Sequence, residues 1–219
     1  MAELSPQPPL SQEDEARAHC YALVSRLFYG PPDADFLHAL TTASRDAPTN
    51  VTDTTDADRA LNEASSPIGY ADAFLALQRA GRSADPDSLR EEYDELFIGA
   101  GAARVTPYTS GYALPSAPDR HLVALRGQLT TWGLARRASA FEVEDHVSAM
   151  CDAMRWLIQA GHSLEEQRTF FDTYVHAGIN GFCEAVAVSA DTSFYRAAAA
   201  LTRALLMIER ESFEVHGAE

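Results

Sequence analysis

Lysine is absent from this chain: all 17 basic side chains are arginines, set against 32 acids, for a formal charge of -15. So acidic a balance disfavours nucleic acid and anionic membranes, whose phosphates need a positive footprint. It attracts and steers a basic partner, and it also serves plain solubility. Cysteine is scarce too. Cys20, Cys151 and Cys183 are odd in number, far apart and in no C-x-x-C pair, which argues against a disulfide framework or a zinc cluster. Each falls in an apolar helical pattern and is expected as a buried free thiol, in keeping with a reducing compartment. No apolar run approaches the roughly 20 residues that cross a bilayer. The segment from Met1 to Pro9 shows neither the basic nor the apolar region of a signal peptide. A period-2 strand pattern is also missing throughout, so the expected fold class is all-α.

What is there reads as helices with capping signals. Ser11 to Asp14 resembles a capping box ahead of a stripe of Ala16, Cys20, Leu23 and Leu27, stopped by Gly30, Pro31 and Pro32. A second helix follows Asp33. Residues 46–58 are polar and predict a mobile loop, with helices over 57–65 and 69–80 beyond it. Asp85 and Pro86 supply an N-cap and a proline at the first helical position of a helix bearing Leu89, Tyr93, Leu96 and Phe97, ended by Gly99 and Gly101. Residues 99–117 form the longest irregular segment, and loops of that length are usually functional or disordered. Tyr108 and Tyr112 argue for the former. Pro118 opens a helix that ends at Gly133. A second capping box, Ser139 to Glu142, predicts a helix start, with Val143, Val147, Met150, Met154 and Leu157 as the helix's stripe. Ser163 to Glu166 caps the next helix, a short helix is expected near 179–188, and a long one from Thr192. The expectation is one compact bundle of about ten helices over 1–219, with subdomains at 1–81 and 119–219 joined by the helix and loop of 82–118.

The patterns that carry catalysis are missing. No nucleophile elbow, phosphate loop, H-E-x-x-H or dinucleotide fingerprint occurs. Asp145 and His146 are adjacent in sequence, which on a helix sets them about 100° apart rather than in contact. Glu142, Asp145, His146, His121 and His162 are conceivable metal ligands, but no two histidines share a helical i, i+3 or i+4 spacing. A Glu-x-x-Asp pair such as Glu142 and Asp145 is more often a negative first turn favoured by the helix dipole. No catalytic residue, metal or cofactor is therefore expected. Tyr93, Leu96 and Phe97 have the spacing of an ordinary core face. Pro107, Tyr108, Ser110 and Tyr112 are less easily explained by packing and suit contact with a peptide.

Together these segments resemble a known family. The run Glu92-Tyr93-x-x-Leu96-Phe97-x-Gly99, a Gly/Pro loop, Pro107-Tyr108-x-Ser110-x-Tyr112 and then Glu142-x-x-Asp145-His146 is similar to the TorD/DmsD/NarJ redox-enzyme maturation chaperones. The resemblance spans about residues 89–157. It implies a cytoplasmic, all-helical, TorD-like chaperone, monomeric or homodimeric. Such a chaperone binds the N-terminal signal, often of twin-arginine type, of a molybdopterin-containing oxidoreductase and holds the apo-form until its cofactor is inserted. It implies a peptide site of Tyr93, Leu96, Phe97, Pro107, Tyr108, Asp145 and His146, with Gly99, Ser110, Tyr112 and Glu142 mainly structural. Physically, Asp145 and Glu142 can take bidentate hydrogen bonds from arginine. Leu96, Phe97 and Tyr108 can cover an apolar segment. His146, beside Asp145, can change charge between about pH 5 and 8. Two other classes compete: an acidic helical scaffold with no chaperone role, and a small helical enzyme. The first would show no preference for signal peptides; the second would need a metal or cofactor.

Overall fold

A computed structural model describes residues 10–43, 69–99, 103–134 and 143–216. These residues are helical with no strand, as the missing period-2 pattern predicts. The helices are α1 (Gln12–Tyr29), α2 (Ala34–Thr42), α3 (Tyr70–Arg82), α4 (Pro86–Tyr93), α5 (Ser110–Ala113), α6 (Pro118–Thr131), α7 (Val147–Gln159), α8 (Leu164–Phe170), α9 (His176–Ser189) and α10 (Ser193–His216). One π-helical turn (Asp94–Ile98) extends α4, and another (Phe171–Val175) joins α8 to α9. The expected loop at 46–58, the helix at 57–65 and Gly101 lie outside the described residues. None of the described helices is long and apolar enough to cross a membrane.

The caps follow the sequence. Ser11 Oγ accepts from the Asp14 N–H (3.0 Å), Asp33 from Phe36 (2.8 Å), Asp85 from Ser88 (2.9 Å), and Ser163 and Glu166 complete a reciprocal capping box. Each side chain satisfies a backbone donor that the helix leaves open.

The buried face of α1 differs from its expected stripe. Ala18, Tyr21, Val24, Ser25, Leu27 and Phe28 are buried, while Ala16, Cys20 and Leu23 are only half-buried. Tyr21 and Phe28 have more surface to remove from water than the small residues of the expected stripe, and they set the rotation of the helix. This face packs mainly on α7, while α3 packs on α10 and α9 lies between α10 and α5.

Two polar clusters fix the frame. Glu92, buried on α4, accepts from the N–H groups of Asp191 (2.7 Å) and Thr192 (2.8 Å) and from the Thr192 hydroxyl (2.5 Å). It thus places a carboxylate at the start of α10, where the helix dipole favours negative charge. Arg17 of α1 meets buried Glu209 of α10 through Nε (2.7 Å) and Nη2 (2.9 Å), and Tyr21 donates to the same carboxylate (3.0 Å). Arg17 also reaches Gln167 of α8 (2.9 Å), so three helices share one network. Burial pushes the Tyr21 hydroxyl well above its ordinary range, so it stays a donor. The three cysteines are free, with Cys151 and Cys183 buried and Cys20 half-buried. Burial pushes the Cys183 thiol up to about 12 and raises Cys151 as well, which leaves both unreactive at neutral pH.

Candidate functional site

The site is built around a short backbone pairing between two segments far apart in sequence. Tyr108 and His146 form an isolated antiparallel bridge. The Thr109 N–H donates to the Asp145 carbonyl (2.8 Å) and the Val147 N–H to the Pro107 carbonyl (2.9 Å). Pro107 has no N–H to lose here; only its carbonyl is used. The Thr109 hydroxyl gives the Asp145 carbonyl a second donor at 3.0 Å, and the Ser110 N–H points at Asp145 Oδ2 (3.3 Å). Thr109, Ser110, Asp145 and His146 are all buried.

This pairing corrects the expected start of α7. The helix begins at Val147, with His146 as its N-cap: His146 Nδ1 accepts from the Ser148 N–H at 3.2 Å. In a neutral ring the proton therefore sits on Nε2. The Asp145 carbonyl and the Val147 N–H are committed to the 107–109 segment, and the His146 N–H turns back on the Val143 carbonyl (3.0 Å), so the helix starts only after this turn. The expected box at Ser139 to Glu142 lies outside the described residues, as does Glu142 itself. Glu144 instead ties this turn to α6 through Arg126 (2.9 Å). The hydroxyl of Ser148, buried beside His146, has no hydrogen-bond partner among the described residues.

The 103–113 strap is anchored at both ends. On one side the Val105 N–H donates to the Leu96 carbonyl (2.8 Å), a carbonyl that the π-turn leaves open to the strap. The same turn is closed by Gly99, whose N–H reaches the Asp94 carbonyl (2.7 Å) and whose positive φ of 55° suits only glycine without strain. On the other side α5 lies directly on α9. A Cβ at Gly178 would stand 2.8 Å from Thr109 Cβ and 2.9 Å from its carbonyl oxygen, and one at Gly181 would stand 2.8 Å from Tyr112 Cβ. Ser110 Oγ contacts His121 Nδ1 of α6 (3.1 Å), and the Tyr112 hydroxyl closes the strap onto the Thr106 carbonyl (3.0 Å).

The sequence-predicted residues divide into layers. Pro107, Tyr108, Ser110, Asp145 and His146 come together, with the Tyr108 and His146 rings 5.8 Å apart, edge to face. Tyr108 is the layer's outward face, 36% exposed against 3% for Asp145 and 2% for His146. Tyr93, Leu96 and Phe97 form the layer beneath and are buried. Phe97 packs on Phe28 (6.2 Å), Tyr93 (5.0 Å), Phe182 (5.8 Å) and Tyr195 (5.7 Å). Phe182 joins the layers, because it also meets Tyr112 at 6.5 Å. Sequence reasoning missed Thr109, Gly178 and Gly181, and weighed His121 only as a metal ligand. The glycine pair carried a usable signal: two glycines three apart inside a helical pattern cost helix stability unless something approaches closely.

The described residues include no group of three or more histidine, cysteine, aspartate or glutamate side chains able to hold a metal ion. Chemically the arrangement offers a braced surface tyrosine over a buried acid, Asp145, which suits binding.

The family described as nitrate reductase delta subunit matches residues 56–184, more than half of the chain. An uncharacterised protein of Haemophilus influenzae is 29% identical over 140 residues, covering 64% of this chain and 70% of that protein. A crystal structure from Archaeoglobus fulgidus, of a protein proposed to be a redox enzyme maturation protein, superposes with a TM-score of 0.49 and 18% identity over 92% of this chain and 98% of that one. The chain belongs to the nitrate reductase delta subunit family, the NarJ/TorD-type chaperones of molybdoenzyme maturation, which assist redox enzymes rather than catalyse reactions.

Proposed function

We propose that this protein binds the N-terminal signal, of twin-arginine type, of a molybdopterin-containing oxidoreductase subunit in the cytoplasm and holds the apo-form through cofactor insertion. The observation that carries this reading is the bridge between Tyr108 and His146, which unites the two motif segments and sets an aromatic ring at the surface. In this reading Tyr108 covers the apolar part of the signal. Asp145 and His146 hold the strap from below, and Tyr93, Leu96 and Phe97 keep the strap's floor rigid. Exposed ion pairs contribute only about 0.2–1 kcal/mol each, while burying a large apolar side chain contributes about 1.5–3 kcal/mol. Apolar contact then supplies affinity, and the acidic surface supplies orientation and on-rate.

Calorimetry with the synthetic signal of a molybdoenzyme precursor tests it. Tyr108→Ala, shown folded by circular dichroism, is expected to weaken binding about tenfold, and a twin-lysine version of the peptide to bind less well than the twin-arginine one. If the signal does not bind wild type, or Tyr108→Ala binds it unchanged, the reading fails.

A further inference from the structure

A separate surface feature has the chemistry of a cation pocket. A cavity of about 160 Å³ opens between α6 and α8, walled by Trp132, Phe170 and Tyr174 and rimmed by Glu165, Glu166 and Gln128. Trp132 and Phe170 meet at 5.3 Å, and Phe170 and Tyr174 at 5.4 Å. Phe170 is buried at the base, while Trp132 and Tyr174 are half-buried and turn part of their surface to the cavity. Trp132 is braced from behind by Trp156 (6.3 Å) and His162 (5.6 Å). The walls are therefore rigid, and a ligand would find them already in place.

The rim is acidic and stays so. Glu166 accepts from the Ser163 N–H and hydroxyl (both 2.9 Å), which holds its carboxyl below the usual range. Arg168 of α8 faces Asp172 (3.5 Å), and the His162 ring lies 3.4 Å from Glu166 itself. Glu165 is exposed at the mouth.

We infer that this pocket between α6 and α8 takes an arginine side chain presented by a partner polypeptide. Aromatic faces attract a cation through their quadrupole, and a planar guanidinium stacks on them while offering its edge to carboxylates. A compact, strongly hydrated ammonium matches the walls less well. A neutral side chain of the same shape would forfeit both attractions. The pocket is linked to the strap: Ser110 meets His121, whose ring lies 5.5 Å from Tyr174. The source of the arginine rests on the signal-binding reading; the chemistry of the pocket does not.

The test uses single capped residues, so it stands apart from any signal peptide. N-acetyl-L-arginine amide is titrated into isotope-labelled protein while the indole N–H resonances of Trp132 and Trp156, the chain's two tryptophans, are followed. Saturable movement of the Trp132 resonance is expected, with the citrulline analogue about tenfold weaker and Glu165→Gln roughly two- to fivefold weaker towards arginine. Thr169→Trp, on the exposed rim, is expected to fill the cavity and abolish the response. Equal binding of citrulline, an unsaturable drift, or indifference to Thr169→Trp overturns the inference. A signal peptide that binds through Tyr108 while the arginine probe leaves Trp132 unmoved overturns it alone. A responsive Trp132 in a protein that ignores signal peptides overturns the Tyr108 reading alone.

Discussion

Thr109 gives the carbonyl of Asp145 two hydrogen bonds, one from its backbone N–H at 2.8 Å and one from its hydroxyl at 3.0 Å. Both residues are buried, so the pairing has no competing water and holds the strap of residues 103–113 to the start of α7. Thr109→Val keeps the shape and removes the hydroxyl. It is expected to cost about 1 kcal/mol in urea unfolding and to speed hydrogen exchange at the Thr109 and Val147 amides more than at amides in α10. Thr109→Ser, which restores the hydroxyl, is expected to recover most of the protection. Uniform exchange across the chain would show that the strap has no local opening of its own.

Glycines offer an internal contrast. Gly178→Ala puts a methyl 2.9 Å from a backbone oxygen that cannot swing aside, whereas a Cβ at Gly127 in α6 meets nothing within 4 Å. Overpacking costs about 1–3 kcal/mol, and replacing an exposed helical glycine by alanine gains about 0.5–1 kcal/mol. Thermal denaturation should therefore move in opposite directions for the two variants. The same sign for both would mean that α5 can lift from α9 freely.

Phe97 lies among four aromatic rings. Phe97→Ala is expected to destabilise by about 3–5 kcal/mol, measured by denaturant unfolding. Any loss of signal binding should scale with the unfolded fraction. Phe97→Leu, which keeps most of the volume, should bind as wild type does. Loss of binding in a folded Phe97→Leu would bring this ring into direct contact with the signal.

His176, at the start of α9, titrates below its ordinary value of 6.5, mainly because burial penalises its charged form, with the positive charge of Arg210 adding to this. The unfolded chain therefore takes up the proton first. Stability falls as pH drops from about 6.5 through the lowered folded value, and is constant above that window. His176→Gln should flatten this part of the curve of Tm against pH. An unchanged slope would place the acid sensitivity on other groups.

Helices and their ends were legible because their causes are local. Asp85 with Pro86 and Ser163 with Glu166 act within one turn of chain, and the structure realises both. The signal fails where a residue's partner is remote. The helical turn expected at Asp145 and His146 is instead a bridge, because Thr109 and Pro107, more than thirty residues earlier, take up the Asp145 carbonyl and the Val147 N–H. Likewise Tyr93, Leu96 and Phe97 read by their spacing as a core face and by resemblance as a groove wall; all three are buried, with Phe97 packed on Phe28, Phe182 and Tyr195.

By itself the sequence determined the helical class, the caps, the acidic surface and the motif order that marks the family, since each depends on composition or on neighbours along the chain. Only the tertiary structure decided which motif residues face water. Backbone pairing sets Tyr108 outward and buries Asp145 and His146. Close approach at Gly178 and Gly181 fixes the strap's height above α9. The meeting of α6 and α8 brings Trp132 and Tyr174 to one cavity. Such contacts join residues with no shared local pattern, and their energy comes from burial in the folded chain rather than from any one segment.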